Sequence, residues 1–186
     1  QDTYMVAAVH LRPEPRYGLL EVANLAEQRA HIMEAVHAAP RPFILYVTEP
    51  GQAEWWWREL RTNGYGRLGI FHGDTKDSER ARVLTAWDKN ELDGVVATSA
   101  FGLGVDKNDV RAVIHATLPE SLDRFYQEVG RGGRDGKACA SLLVFEPADL
   151  PIAAGISSPT FISNEGGLER WLILLASAVP DRDDPA

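Results

Sequence analysis

The chain has 186 residues, 45% of them hydrophobic, with a formal net charge of −8 and a single cysteine, Cys139. That length and apolar content suit one compact unit with a sizeable core, and the acidic balance argues against a general polyanion binder. One cysteine excludes an internal disulfide framework or a cysteine-rich zinc site, and with neither a bilayer-length apolar run nor a basic-apolar leader the chain reads as cytoplasmic, with no membrane partner.

Asn24, followed three residues later by Glu27, is a capping-box-like start for a helix running through Ala38, which Pro40 and Pro42 close. Residues 43–47 form a short apolar, strand-like run. Helical spacing follows over 52–62, and Gly64 is placed to stop it. Residues 68–71 read as a strand and 78–88 as a helix with Val83, Leu84 and Trp87 on one face. Residues 95–98 and 112–115 are short strands, 122–128 a helix and 141–145 a strand. Cys139 lies in the apolar run leading into that last strand, which suggests a buried, inert thiol. In the tail, 168–175 spells one apolar helix ending near Pro180. The alternation predicts an α/β fold, a mostly parallel sheet with helices on both faces.

Three adjacent tryptophans, Trp55, Trp56 and Trp57, stand out on the second helix. Neighbouring helical residues are about 100° apart, so one face cannot bury all three. Either some pack on the sheet and the rest lie at the surface, or the run is a stacking or docking surface.

Ligands of such sheets sit outside the carboxyl ends of the strands. Four segments qualify: Thr48, the His72-Gly73-Asp74 loop, the loop over 98–106, and a turn over 130–136. One edge of one sheet is expected to carry all four. Acidic residues gather at 74–79, 88–93 and 181–184, on surfaces expected to face away from any bound strand.

Two of these segments carry chemistry. Gln127-Glu128-Val129-Gly130-Arg131-Gly132-Gly133-Arg134-Asp135-Gly136 sets two arginines three residues apart, each behind a glycine. Arginine forks match phosphate oxygens in two-point contacts, and glycine lets the backbone approach closely. Phosphoryl transfer needs such preorganised positive charge. The alternative is a glycine-rich turn with two solvated arginines. In Thr98-Ser99-Ala100-Phe101-Gly102-Leu103-Gly104-Val105-Asp106, the hydroxyls and backbone N–H groups of Thr98 and Ser99 suit a phosphate oxygen. Gly102 and Gly104 permit close approach, and Asp106 suits a ribose hydroxyl. Phe101 is either a core anchor or a contact to DNA or a partner domain.

The two segments resemble motifs VI and V of superfamily 2 helicases, and the ending Gly-Arg-Asp-Gly is most similar to the RecQ branch. Weaker similarities flank them: 43–49 stands where motif IV would be, His72-Gly73 with Arg80 and Trp87 resembles the segment that follows, and Leu11-Arg12-Pro13 resembles the entry to the domain. His115, Pro119 and Tyr126 also fall in the family's places. His115, on a strand, reads as a packed histidine, and His72 as a turn residue or a DNA contact. The arginine turn with Pro-Glu-Ser upstream is also similar to helicases of bacterial clusters for 7-deazaguanine DNA modification.

The resemblance covers residues 10–150 and implies the second RecA-like domain of an ATP-dependent DNA helicase. Residues 1–40 would be an interdomain segment and entry helix, 41–150 a three-layer RecA-like (P-loop NTPase type) sandwich, and 151–186 a divergent tail. It implies Arg134 as the arginine finger, Arg131 beside it on the phosphates and Gln127 linking both to the nucleotide, with Asp106, Gly104 and Gly130 lining the nucleotide. Thr48, His72, Arg80, Thr98 and Ser99 would follow single-stranded or partly unwound DNA in the 3′ to 5′ direction. No Gly-x-x-x-x-Gly-Lys-Ser/Thr loop or Asp-Glu-x-His box is present. ATP and Mg2+ are therefore expected mainly on an amino-terminal RecA-like domain outside this sequence, and this chain alone should not hydrolyse ATP. RecQ proteins continue into a four-cysteine zinc region, whereas 151–186 has no cysteine, so no zinc is expected here. The other reading is a degenerate RecA-like module that binds nucleic acid or a partner without catalysis.

Overall fold

Four-residue apolar runs, too short to form stable helices, become strands. A computed structural model describes residues 12–102, 106–157, 168 and 171–173. In it, β1 (Pro15–Glu21), β2 (Phe43–Tyr46), β3 (Leu68–Phe71), β4 (Gly94–Ala97), β5 (Ala112–His115) and β6 (Cys139–Phe145) make one sheet. The order is β1-β6-β5-β2-β4-β3, and every pairing is parallel.

Side chains alternate across a strand, and here they feed two cores. Phe43, Leu45, Val96, Ala112 and Ile114 point to one face. That face is covered by Ile32 and Val36 of α1 (Leu25–Ala38) and by Ala53, Trp56 and Leu60 of α2 (Pro50–Thr62). Ile44, Tyr46, Val95, Ala97 and Val113 point to the other, under Val83 and Trp87 of α3 (Asp77–Asp88) and Phe101. The fully buried Phe101 is thus a core anchor. α4 (Leu122–Val129) lies over this second face, where Glu128 meets His115. The parallel α/β sheet with helices on both faces is as expected.

The caps read in the sequence are present. Asn24 Oδ1 accepts the Glu27 N–H at 3.0 Å, while Glu27 Oε2 accepts the Ala23 N–H at 2.9 Å. Gly64 adopts φ +94 just past α2, a left-handed conformation that suits glycine. α2 begins two residues earlier than expected, because Gln52 Oε1 accepts the N–H groups of Thr48 and Glu49 and Pro50 fits the first turn.

β1, like the helix over 149–157, is an element without a forecast. It lies at the sheet edge with a mostly exposed side-chain pattern, so it carries little apolar signal. The entry segment read over 1–40 thus contributes, from residue 15 on, a strand and a helix to the same sheet and core. Trp56 is buried; Trp55 and Trp57 are partly buried against the same core. The Arg29 guanidinium sits 4.0 Å above Trp55, and Trp57 donates its indole N–H to the Leu68 carbonyl at 3.1 Å. After β6 comes α5 (Asp149–Ser157). Of the expected tail helix, 168 and 171–173 are helical, with Leu168, Trp171, Leu172 and Ile173 exposed; its other residues lie outside the described ones.

Candidate functional site

Three of the expected loops leave the carboxyl ends of adjacent strands. Thr48 follows β2, His72 follows β3 and Thr98 follows β4. The Thr48 and Thr117 hydroxyls are hydrogen-bonded to each other at 2.8 Å. Ser99 is half-buried and shares a small cavity with both. Thr98 and His72 are buried rather than open to a ligand. The Thr98 N–H continues the ladder to the Phe71 carbonyl at 3.1 Å, and the His72 N–H donates to Thr75 Oγ1 at 3.0 Å. Arg80 is spent within its own loop: Nε donates to the Thr75 carbonyl at 2.8 Å, and Nη2 reaches the carbonyls of His72 and Gly73. Its guanidinium holds the loop in shape. Asp74 stands exposed in that same loop, so part of the acidic cluster over 74–79 lies on this edge rather than away from it.

The arginine turn is elsewhere. It follows α4 and packs toward the amino ends of β5 and β6, so one edge does not carry all four segments. Gly133 donates its N–H to the Val110 carbonyl at 3.0 Å, and Asp135 to the Asn108 carbonyl at 3.1 Å. A Cβ on Gly132 would stand 2.6 Å from Cys139 Sγ, which ties the turn to the first residue of β6. Gly133 adopts φ +63, a left-handed conformation that favours glycine, and a Cβ there would lie 2.5 Å from the Lys137 carbonyl oxygen. The reason for the displacement is connectivity: α4 must run back across the sheet face so that β6 can re-enter parallel to β5.

The side chains of the turn reach the neighbouring loop. Arg134 Nη1 is ion-paired with the exposed carboxylate of Asp106, and its Nε donates to the Gly130 carbonyl at 3.2 Å. Arg131 lies against the same loop, since a Cβ on Gly102 would come 2.7 Å from its Nη2. Gly102 is therefore the residue that admits this guanidinium. Gln127 is exposed one turn before. Arg131, Arg134, Gly130 and Asp106 are brought together; Gly104 lies outside the described residues.

Three features were not read from the sequence. Arg12 donates Nη1 to the Gly130 carbonyl and Nη2 to the Gly133 carbonyl, both at 2.9 Å, so one fork clamps the arginine turn at two points. Arg111, just before β5, pairs with Asp135 and holds that carboxyl below the usual range. His115 and Glu128 form a buried pair at 3.0 Å, with Tyr46 stacked on the imidazole. The Arg-Pro pair at 12–13 and His115, expected as a packed strand histidine, offered a signal in the sequence; their partners did not. Cys139 is buried, and burial pushes its thiol up, which keeps it protonated and unreactive at neutral pH.

The parallel sheet with an arginine turn packed against a glycine loop is a RecA-like α/β fold. The helicase conserved C-terminal domain family matches residues 26–136, and the chain belongs to it. Its relatives lie on the RecQ-like branch of superfamily 2. It is 33% identical over 141 residues to the probable ATP-dependent DNA helicase RecS of Bacillus subtilis (strain 168), covering 76% of this chain and 28% of that protein. It is 40% identical over 141 residues to the ATP-dependent DNA helicase Q-like 2 of Arabidopsis thaliana, covering 76% and 19%. The chain thus spans less than a third of the length of these curated relatives. In fold it is similar to the yeast DEAD-box splicing factor Prp28 (TM-score 0.68, 16% identity, covering 88% of this chain and 34% of that one). It is also similar to the C-terminal domain of the DEAD-box protein Dbp5 (TM-score 0.64, 18% identity, 88% and 98%).

Proposed function

We propose that this chain is the second motor domain of an ATP-dependent DNA helicase or translocase. It presents arginine forks to a nucleotide held mainly by an amino-terminal RecA-like domain. The observation that carries this reading is the convergence of Arg131, Arg134, Gly102 and Asp106 across two loops, on a turn clamped by Arg12. Both readings place the forks on phosphate, but only catalysis requires them on a transferring phosphoryl group.

These residues fit the outer part of a nucleotide: forks for phosphate oxygens, a carboxylate for a ribose hydroxyl, and glycines for close approach. They do not supply a phosphate cradle or a set of Mg2+ ligands; Asp106 is already paired with Arg134. ATP, when bound, would supply the γ-phosphoryl group whose transfer to water, with ADP leaving, drives movement, and Mg2+ would neutralise the phosphate charge. Arg134 exchanges the Asp106 carboxylate for a phosphate oxygen, which frees Asp106 for the ribose. Arg131 stays on the Gly102 loop and adds positive charge where negative charge develops. Gln127, exposed before the turn, orients toward the same phosphates. Thr48 and Ser99 present hydroxyls to the sugar-phosphate backbone of DNA, and movement runs 3′ to 5′, as the family resemblance implies. Thr98, His72 and Arg80 support that edge from beneath.

In the full-length protein, Arg134→Ala lowers ATP turnover about a thousandfold, the scale for removing an arginine finger. Turnover is measured by phosphate release with saturating DNA. Undiminished hydrolysis by that variant rules out the finger assignment.

A further inference from the structure

We infer that His115 and Glu128 form a positioning link through which occupancy of the Thr48 edge by DNA sets the arginine turn. This rests on the reading of that turn as ATP-facing. His115 Nε2 and Glu128 Oε2 lie 3.0 Å apart, with side chains only 2% and 8% exposed. Burying such a pair costs desolvation, and apolar side chains of similar volume often serve stability equally well. Register and switching are the better-attested uses of buried polar pairs.

The surroundings of the pair touch both functional regions. His115 lines a cavity of about 20 Å³ together with Thr48, Ser99 and Thr117, the hydroxyl side chains of the carboxyl edge. That is room for about one water, and His115 Nδ1 is buried without a protein hydrogen-bond partner. Glu128 stands two residues before Gly130, and its own carbonyl accepts the Arg131 N–H at 3.2 Å. Tyr46 faces His115 across paired strands and stacks on it, centroids 5.4 Å apart at 21°. The Tyr46 hydroxyl donates to the Phe101 carbonyl at 3.0 Å, immediately before the Gly102 that admits Arg131. Both supports of Arg131, the end of α4 and the Phe101–Gly102 backbone, therefore bear on one imidazole. A backbone phosphate drawing on the Thr48 and Thr117 hydroxyls shifts the hydrogen bonding above His115, and the ring passes that shift to both supports.

The test uses the full-length enzyme and the ratio of DNA-stimulated to DNA-free ATP turnover, which a merely structural pair would leave alone. His115→Phe keeps the ring and removes both nitrogens. It lowers the stimulation ratio about tenfold, within the range of couplings between sites, with DNA-stimulated turnover falling further than DNA-free turnover. His115→Gln retains a donor for Glu128 and restores about half of the stimulation. A parallel fall of both rates, or equal behaviour of the Phe and Gln variants, overturns the link. If His115→Phe does not fold, Tyr46→Phe carries the test: stimulation falls about threefold, and an unchanged ratio overturns it. Arg134→Ala run alongside separates the two claims. Full turnover in that variant defeats the ATP-facing reading itself; loss of turnover there, with full stimulation in His115→Phe, defeats only the link.

Discussion

Arg12 joins a segment at the start of the described chain to a turn more than a hundred residues away, with two guanidinium bonds to backbone carbonyls. Charged donors of this kind contribute more than neutral ones, about 1.5–3 kcal/mol for a well-made bond and less at a partly exposed site. Arg12→Ala should cost about 1–3 kcal/mol in a urea melt, and it should lower ATP turnover in the full-length protein by loosening the turn that its fork holds. An unaltered urea midpoint would mean that the turn is rigid without its clamp. Arg12→Lys should recover little, because an ammonium cannot hold two carbonyls in the geometry of a planar fork. Arg111 acts from the opposite side on Asp135. That carboxyl has a lowered folded pKa, so the contribution is present at neutral pH and fades as pH falls below the ordinary carboxylate range.

At the scale of elements, the central strands are short but tightly set. Gly94 opens β4 directly against the Phe43 ring of β2; a Cβ there would lie 2.4 Å from two ring carbons. The ring is fully buried and has nowhere to retreat. Gly94→Ala should therefore destabilise the domain by about 1–3 kcal/mol, the usual scale of overpacking, read from a thermal or denaturant melt. A neutral or stabilising outcome would show that the strand can shift in register with β2. The helices differ in what they do. α1 and α2 bury apolar faces, whereas α4 buries Glu128 and Val129 at its end and delivers the arginine turn.

At the scale of the molecule, the charge of −8 and the position of Asp74 limit how nucleic acid is held. Arg80, the cationic residue expected on that edge, already serves three loop carbonyls. Binding to DNA should depend on hydroxyl and backbone donors, tolerate any base sequence and release fewer than about six counterions in a salt titration. A steeper slope or a marked sequence preference contradicts this picture. The same reasoning separates the chain from its nucleotide. With forks but no phosphate loop, it should bind ATP too weakly for a micromolar Kd by titration calorimetry and should not hydrolyse it.

The sequence by itself determined the class of fold. Apolar runs of four residues between amphipathic helices admit little besides a parallel sheet covered on both faces, and the Asn24 and Gly64 signals act locally, within a few residues. Gly-Arg-Gly-Gly-Arg is legible for the same reason, since glycines and paired arginines carry their chemistry in their residue types. Tertiary structure alone decided what those arginines face. The clamp from Arg12 joins residues more than a hundred apart, and the return of α4 across the sheet brings Glu128 back onto His115 of the preceding strand. β1 was hidden for a related reason: an edge strand with exposed side chains is held by its backbone ladder to β6, and backbone hydrogen bonds leave almost no trace in side-chain pattern.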